Sequence, residues 1–194
     1  RGAGSDQTKV HYSGTCVTIT GAQGKPWRIT GITFIGNSAG TGIQIGGNCK
    51  NFRVDHCKMA NLQTPMVFGG GYDLTFGLID HCTFWFHTEV NGVETAIWVN
   101  SDNVPAWSRP LTLGTSNATY VEDCFFDIAS MPGNLENTNA IHSENGARTV
   151  FRHNRLNSKI ETFGSCTTGT RGTVSCEVYD NVFFGPGSEL VWAA

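Results

Sequence analysis

The sequence predicts an all-β fold, a solenoid of short strands with about 25 residues per coil and loop insertions. Three observations carry this expectation. A short template, apolar-x-x-(Cys/Asn/Ile)-x-apolar, occurs six times: ITGITF from Ile29, VDHCKM from Val54, IDHCTF from Ile79, VEDCFF from Val121, FRHNRL from Phe151 and VYDNVF from Val178. The first three copies start 25 residues apart, and the later gaps of 42, 30 and 27 leave room for inserted loops. The 194 residues include 24 Gly and only 15% charged side chains, which suits short strands and tight turns and disfavours a helical bundle or a disordered tail.

The copies alternate with a second kind of segment, GIQIGG, PMVFGG, AIWVNS, NAIHSEN and KIETFG, each reading as a strand of three to five residues. Near-constant spacing is what a solenoid requires, because each coil buries its inward residues against the coils on either side. The period is too short for propeller blades, and the Leu pattern of leucine-rich repeats is missing. In a solenoid the fourth template position, Cys57, Cys82, Cys124, Asn154 and Asn181, becomes a stacked interior ladder. The position before it holds His56, His81, Asp123, His153 and Asp180, types that tolerate the unusual backbone angles of a corner. A metal site using His56 and His81 is the alternative reading of that column. Asp55, Asp80 and Glu122 form an acidic column beside it that would attract calcium, the one cofactor the pattern suggests; metal ligands are otherwise unassigned. Of the seven cysteines, Cys166 and Cys176 bracket a polar loop and would close it as a disulfide in an oxidising compartment, or remain thiols.

VFRHNRL and EVYDNVFF, with the preceding RGAGSDQT, resemble the right-handed parallel β-helices of the pectin-lyase-like superfamily, through nearly the whole chain. In that superfamily a GAGSDQT-like segment commonly follows a capping portion. The resemblance therefore implies one β-helix domain over 1–194 that is an internal segment of a longer chain. It also implies an extracellular, cell-surface or virion-associated setting. Fibrous phage β-helices of this kind commonly form trimers, so a homo-oligomer or attachment to a larger assembly is a corresponding expectation. The Asn-Thr-Asp, paired Asp and Gly-His-Gly of polygalacturonase-type hydrolases are not reproduced, since the chain has Asn137-Thr138-Asn139 alone. NGVETAIWVNS followed by YVEDCFF is similar to the coil pattern of alginate and chondroitin lyases.

A formal net charge of −3 gives no electrostatic case for nucleic acid. No apolar run approaches the roughly 20 residues needed to span a bilayer, so membrane insertion is not expected. Strand alternation proposes the outward residues. With Ile97, Val99, Ile141, Ser143, Ile160 and Thr162 inward, stacking sets Trp98, His142 and Glu161 in one outer ladder, with Asn100, Glu144 and Phe163 beside it. Long insertions flank this patch, one carrying Trp107 and Arg109 and the other Arg171. An aromatic face beside carboxylates, an imidazole and cations suits a polysaccharide or other glycan: rings cover sugar C–H surfaces while polar groups bond hydroxyls. The substrate-binding candidates are Trp98, Asn100, Trp107, Arg109, Phe163 and Arg171. Glycoside hydrolysis would use Glu144 and Glu161 as paired carboxylates. β-Elimination from a uronate would draw its base from His142, Lys159 or Arg152. Whether the chain is an enzyme stays open, against a non-catalytic shaft or adhesion module such as a phage tailspike body.

Overall fold

The structure, a computed structural model, describes residues 4–22, 24–36, 40–61, 64–68, 76–86, 95–100, 110–128, 139–161, 173–185 and 190–191, and only the backbone of 64–68, 161 and 190–191. It is an all-β parallel solenoid with about 27 residues per turn. Each full coil contributes one strand to each of three sheets. Sheet one stacks β1 (Lys9–His11), β4 (Thr33–Ile35), β7 (Lys58–Ala60), β10 (Thr83–Trp85), β13 (Phe125–Asp127), β16 (Arg155–Leu156) and β19 (Val182–Phe183). Sheet two stacks β2 (Thr15–Thr20), β5 (Thr41–Gly46), β8 (Thr64–Phe68), β11 (Thr95–Asn100), β14 (Asn139–Glu144), β17 (Lys159–Glu161) and β20 (Leu190–Val191). Sheet three stacks β3 (Arg28–Thr30), β6 (Lys50–Asp55), β9 (Phe76–Asp80), β12 (Thr119–Glu122), β15 (Arg148–Arg152) and β18 (Ser175–Tyr179).

The recurring template is not one strand. It spans the end of a sheet-three strand and the start of a sheet-one strand, bent at its third residue. That residue is Gly31, His56, His81, Asp123, His153 or Asp180, with φ of 68°, 52°, 51°, 54°, 57° and 56°. One left-handed residue per coil turns the chain, and Gly, Asp and His are among the types that sit there at modest cost. The bend explains why apolar residues on both sides of it face the same interior. Register matches the sequence spacing, with Thr30↔Asp55↔Asp80↔Glu122↔Arg152↔Tyr179 aligned through successive coils.

The core is built from columns. Phe34, Met59, Phe84, Phe126 and Leu156 stack behind sheet one, and Val54, Ile79, Val121 and Phe151 behind sheet three, all buried. Phe84 and Phe126 lie parallel with ring centroids 4.6 Å apart. Close packing removes freedom at Gly77, where a Cβ would run into the Phe52 ring and its carbonyl.

The interior ladder exists and has a job. Cys57, Cys82 and Cys124 are buried free thiols, and Asn154 and Asn181 continue the column. The corner takes the ladder residue's N–H out of the regular sheet pattern, and the side chain one coil further on accepts it. Cys124 N–H donates to Asn154 Oδ1 at 2.9 Å and Asn154 N–H to Asn181 Oδ1 at 3.0 Å. The Cys57 sulfur takes the N–H of Ile32, and that of Cys82 takes the N–H of Cys57. Cys and Asn recur here because both fit the interior and carry an acceptor.

Candidate functional site

The outer face of sheet two carries the cluster that alternation indicates. Trp98 and His142 are register partners, as are Asn100 and Glu144, and the backbone of Glu161 lies beside His142. Ile97 and Val99 are buried beneath, and the alternate residues Trp98 and Asn100 are half-buried on the outer face. The side chains converge on one carboxylate. Trp98 Nε1–H donates to Glu144 Oε1 at 3.0 Å, and Asn100 Nδ2 makes a longer contact of 3.5 Å with the same oxygen. Glu144 Oε2 stands 3.7 Å from His142 Nε2, and the Trp98 and His142 rings meet edge-on with centroids 5.8 Å apart.

Glu144 is only 7% exposed, a burial that a carboxylate tolerates when donors surround it. Its donors come from two coils, so the cluster needs the solenoid to exist. One participant escapes the alternation argument. Asn145 follows the strand at φ 53° and turns its amide to donate to Asn100 Oδ1 at 3.0 Å. The signal for it is the Asn-Gly pair after NAIHSE, which marks a left-handed turn at the strand end.

The other candidates fall differently. Lys159 is half-exposed on β17 but aligns with Asn139, toward the other end of β14 from Glu144. Arg152 lies on sheet three, away from the cluster, with Nε 2.6 Å from Glu122 Oε2 and Nη1 donating to Tyr179 Oη at 2.8 Å. Its guanidinium also covers the Tyr120 ring at 5.3 Å. Trp107, Arg109, Phe163 and Arg171 lie outside the described residues, as does the side chain of Glu161. Within the first insertion, residues 110–118 turn onto sheet three, where Gly114 N–H donates to Glu177 Oε1 at 3.0 Å. Cys176 is a free thiol that accepts from Thr149, its pKa pushed up to about 11 by burial; Cys166 lies outside the described residues.

The acidic column is engaged by arginines. Arg28 grips Asp55 through Nε and Nη2, both at 2.6 Å, and Thr30 Oγ1 adds a bond at 2.9 Å. One coil on, Arg53 grips Asp80 at 2.9 and 2.7 Å. Arg28's hydrogen bonds, ahead of those from His56 and Thr30, hold the Asp55 carboxyl well below the usual carboxylate range despite its burial. Among the described residues, no group of three or more His, Cys, Asp or Glu is arranged to hold a metal ion, and no helix is long and apolar enough to cross a membrane.

Comparison with protein-family models, with curated proteins and with solved structures finds no match.

Proposed function

We propose that this β-helix binds an extracellular or cell-surface polysaccharide along the outer face of sheet two. The observation that carries the reading is the convergence of Trp98, Asn100 and His142 on the buried Glu144. An indole fixed by its own N–H has little rotational freedom left to lose when a sugar ring packs against it, so ordering costs less at binding. Asn100, Asn145 and His142 add amide and imidazole groups suited to hydroxyls. Successive coils present side chains at about 5 Å intervals, a spacing that favours an extended polymer over a compact ligand.

The reading takes up the resemblance to pectin-lyase-like β-helices, and with it the extracellular or virion-associated setting. Cleavage by lyase or hydrolase chemistry is a further step on the same face, with His142 and Glu144 as its nearest groups. The competing reading is a structural shaft or tailspike-like body without a ligand. It is favoured by sheet three, where Asp55, Asp80 and Glu122 on successive coils pair with Arg28, Arg53 and Arg152 in the manner of a self-sufficient wall.

Affinity electrophoresis against a panel of uronate-containing and neutral polysaccharides, with and without calcium, tests the proposal. The expected result is retardation by at least one polymer, reduced about tenfold or more in affinity by Trp98→Ala. The absorbance of an unsaturated uronate in the same mixtures would add turnover to binding. Retardation by none of the polymers, or retardation indifferent to Trp98→Ala, favours the shaft.

A further inference from the structure

The corner between sheets three and one carries a pair of imidazoles that the corner itself does not require. Gly31, Asp123 and Asp180 hold the same left-handed backbone in other coils, so the bend alone does not account for His at two successive positions. The His56 and His81 rings lie parallel, 3° apart in plane, with centroids separated by 5.0 Å. Each Nδ1 faces the carboxylate of the preceding residue, His56 to Asp55 Oδ2 at 2.7 Å and His81 to Asp80 Oδ2 at 2.8 Å. Those carboxylates are held by Arg28 and Arg53, and an ionised carboxylate can only accept. Nδ1 therefore carries a proton, and the tautomer this selects is the one with its lone pair on Nε2.

We propose that His56 and His81 form a two-imidazole site for a borderline divalent transition cation of the Cu2+, Ni2+ or Zn2+ class, with water completing the coordination. Imidazole suits these ions, whereas calcium prefers oxygen. The carboxylate–imidazole pairing is the arrangement that orients metal-binding histidines and raises their basicity. Both rings are open to solvent, with side-chain exposures of 60% and 52%. Metal–nitrogen bonds of about 2.0–2.1 Å need the two Nε2 atoms about 3–4 Å apart with both in-plane lone pairs turned to the ion, so the parallel rings must approach by about an ångström or more and open out of their stack. Side chains exposed to this degree can do so by moving about χ1 and χ2 together, lengthening the Nδ1 contacts as they turn.

The test is a calorimetric titration of tag-free protein with Cu2+ in a non-coordinating buffer, with electron paramagnetic resonance of the complex. Wild type is expected to saturate one specific site with two equatorial nitrogens. His56→Asn and His81→Asn, which keep a residue tolerant of the left-handed corner, are each expected to weaken it by about tenfold or more. His153→Asn should leave it unchanged. A second readout uses wild type alone: Cu2+ should protect His56 and His81 together from carbethoxylation, read by peptide mass spectrometry. Absence of a specific site, binding unaffected by either substitution, or protection of neither ring overturns the proposal.

Discussion

Asp55→Asn isolates the sheet-three wall at its most buried point. Asp55 has no exposed surface, and its Oδ2 takes Arg28 Nη2, Thr30 Oγ1 and His56 Nδ1 while Oδ1 takes Arg28 Nε. An amide retains one acceptor oxygen. If that oxygen replaces Oδ2, the new NH2 meets the Arg28 Nε–H donor at the 2.6 Å position and the Arg53 Nε 3.7 Å away. The substitution thus discards charge-assisted bonds, at about 1.5–3 kcal/mol each, and opposes two donors. Breaking a fully buried pair costs about 3–5 kcal/mol. Here the arginine side chains are 52% and 40% exposed and can return to water. The expected loss at neutral pH is therefore smaller, about 2–4 kcal/mol. At about 2–4 °C per kcal/mol for a chain of this size, Tm falls by roughly 5–15 °C.

Urea unfolding followed by circular dichroism measures this loss, and the pH dependence fixes its cause. The folded Asp55 pKa is depressed, so its stabilisation is fully present above the unfolded value near 3.9 and is lost as pH falls toward the folded one. Wild type and variant should therefore converge in stability below about pH 4, through this group's contribution. Coils contact only their neighbours, so the extra amide exchange of the variant should concentrate in β3, β6 and β9. A variant within about 0.5 kcal/mol of wild type at pH 7, or a gap unchanged by acid, would refute the ion-pair argument.

Two further substitutions test the corner. Asn154→Ala strands the Cys124 N–H and the Val121 carbonyl, both inside, and should cost about 2–4 kcal/mol; Asn154→Cys, which restores a weak acceptor of the kind used by the earlier coils, should recover part of that in the same urea assay. Asp123 is exposed at φ 54°, so Asp123→Gly should be neutral or stabilising by up to about 1 kcal/mol, while Asp123→Val should lose about 1–2 kcal/mol by thermal melting.

The solenoid was legible because its physics repeats. Ile29, Val54, Ile79, Val121, Phe151 and Val178 must all enter one interior, so the period and the register could be counted directly. The third sheet was not legible, because a single left-handed residue inside the template is invisible to an apolar pattern that continues on both sides of it. The sequence pattern supplied Trp98, His142, Asn100 and Glu144 as outward neighbours but not their convergence. That depends on the indole reaching diagonally to a residue two positions beyond its register partner, a matter of side-chain direction. Arg152 is the converse case. Its charge fitted a catalytic role, yet its strand belongs to another wall, and three-dimensional placement of a cation cannot be read from its type.

The two outer walls differ in how they use polarity, and that difference bears on where a ligand would go. On sheet three, Asp55, Asp80 and Glu122 each meet an arginine at 2.6–2.9 Å, so a polar ligand would have to break charge-assisted bonds before making its own. On sheet two, among the described residues, the buried Glu144 carboxylate is met by an indole, an amide and an imidazole. An indole and an amide bind a carboxylate less strongly than a guanidinium does and leave aromatic surface next to it, which lowers the cost of exchanging one of them for a sugar hydroxyl. On the proposed reading, a polymer lying along the coils would gain most over β11 and β14. The decisive comparison is Trp98→Phe against Trp98→Ala: a ring without its N–H should keep most of the affinity if stacking dominates, and should lose as much as Ala if fixing the indole against Glu144 is what matters.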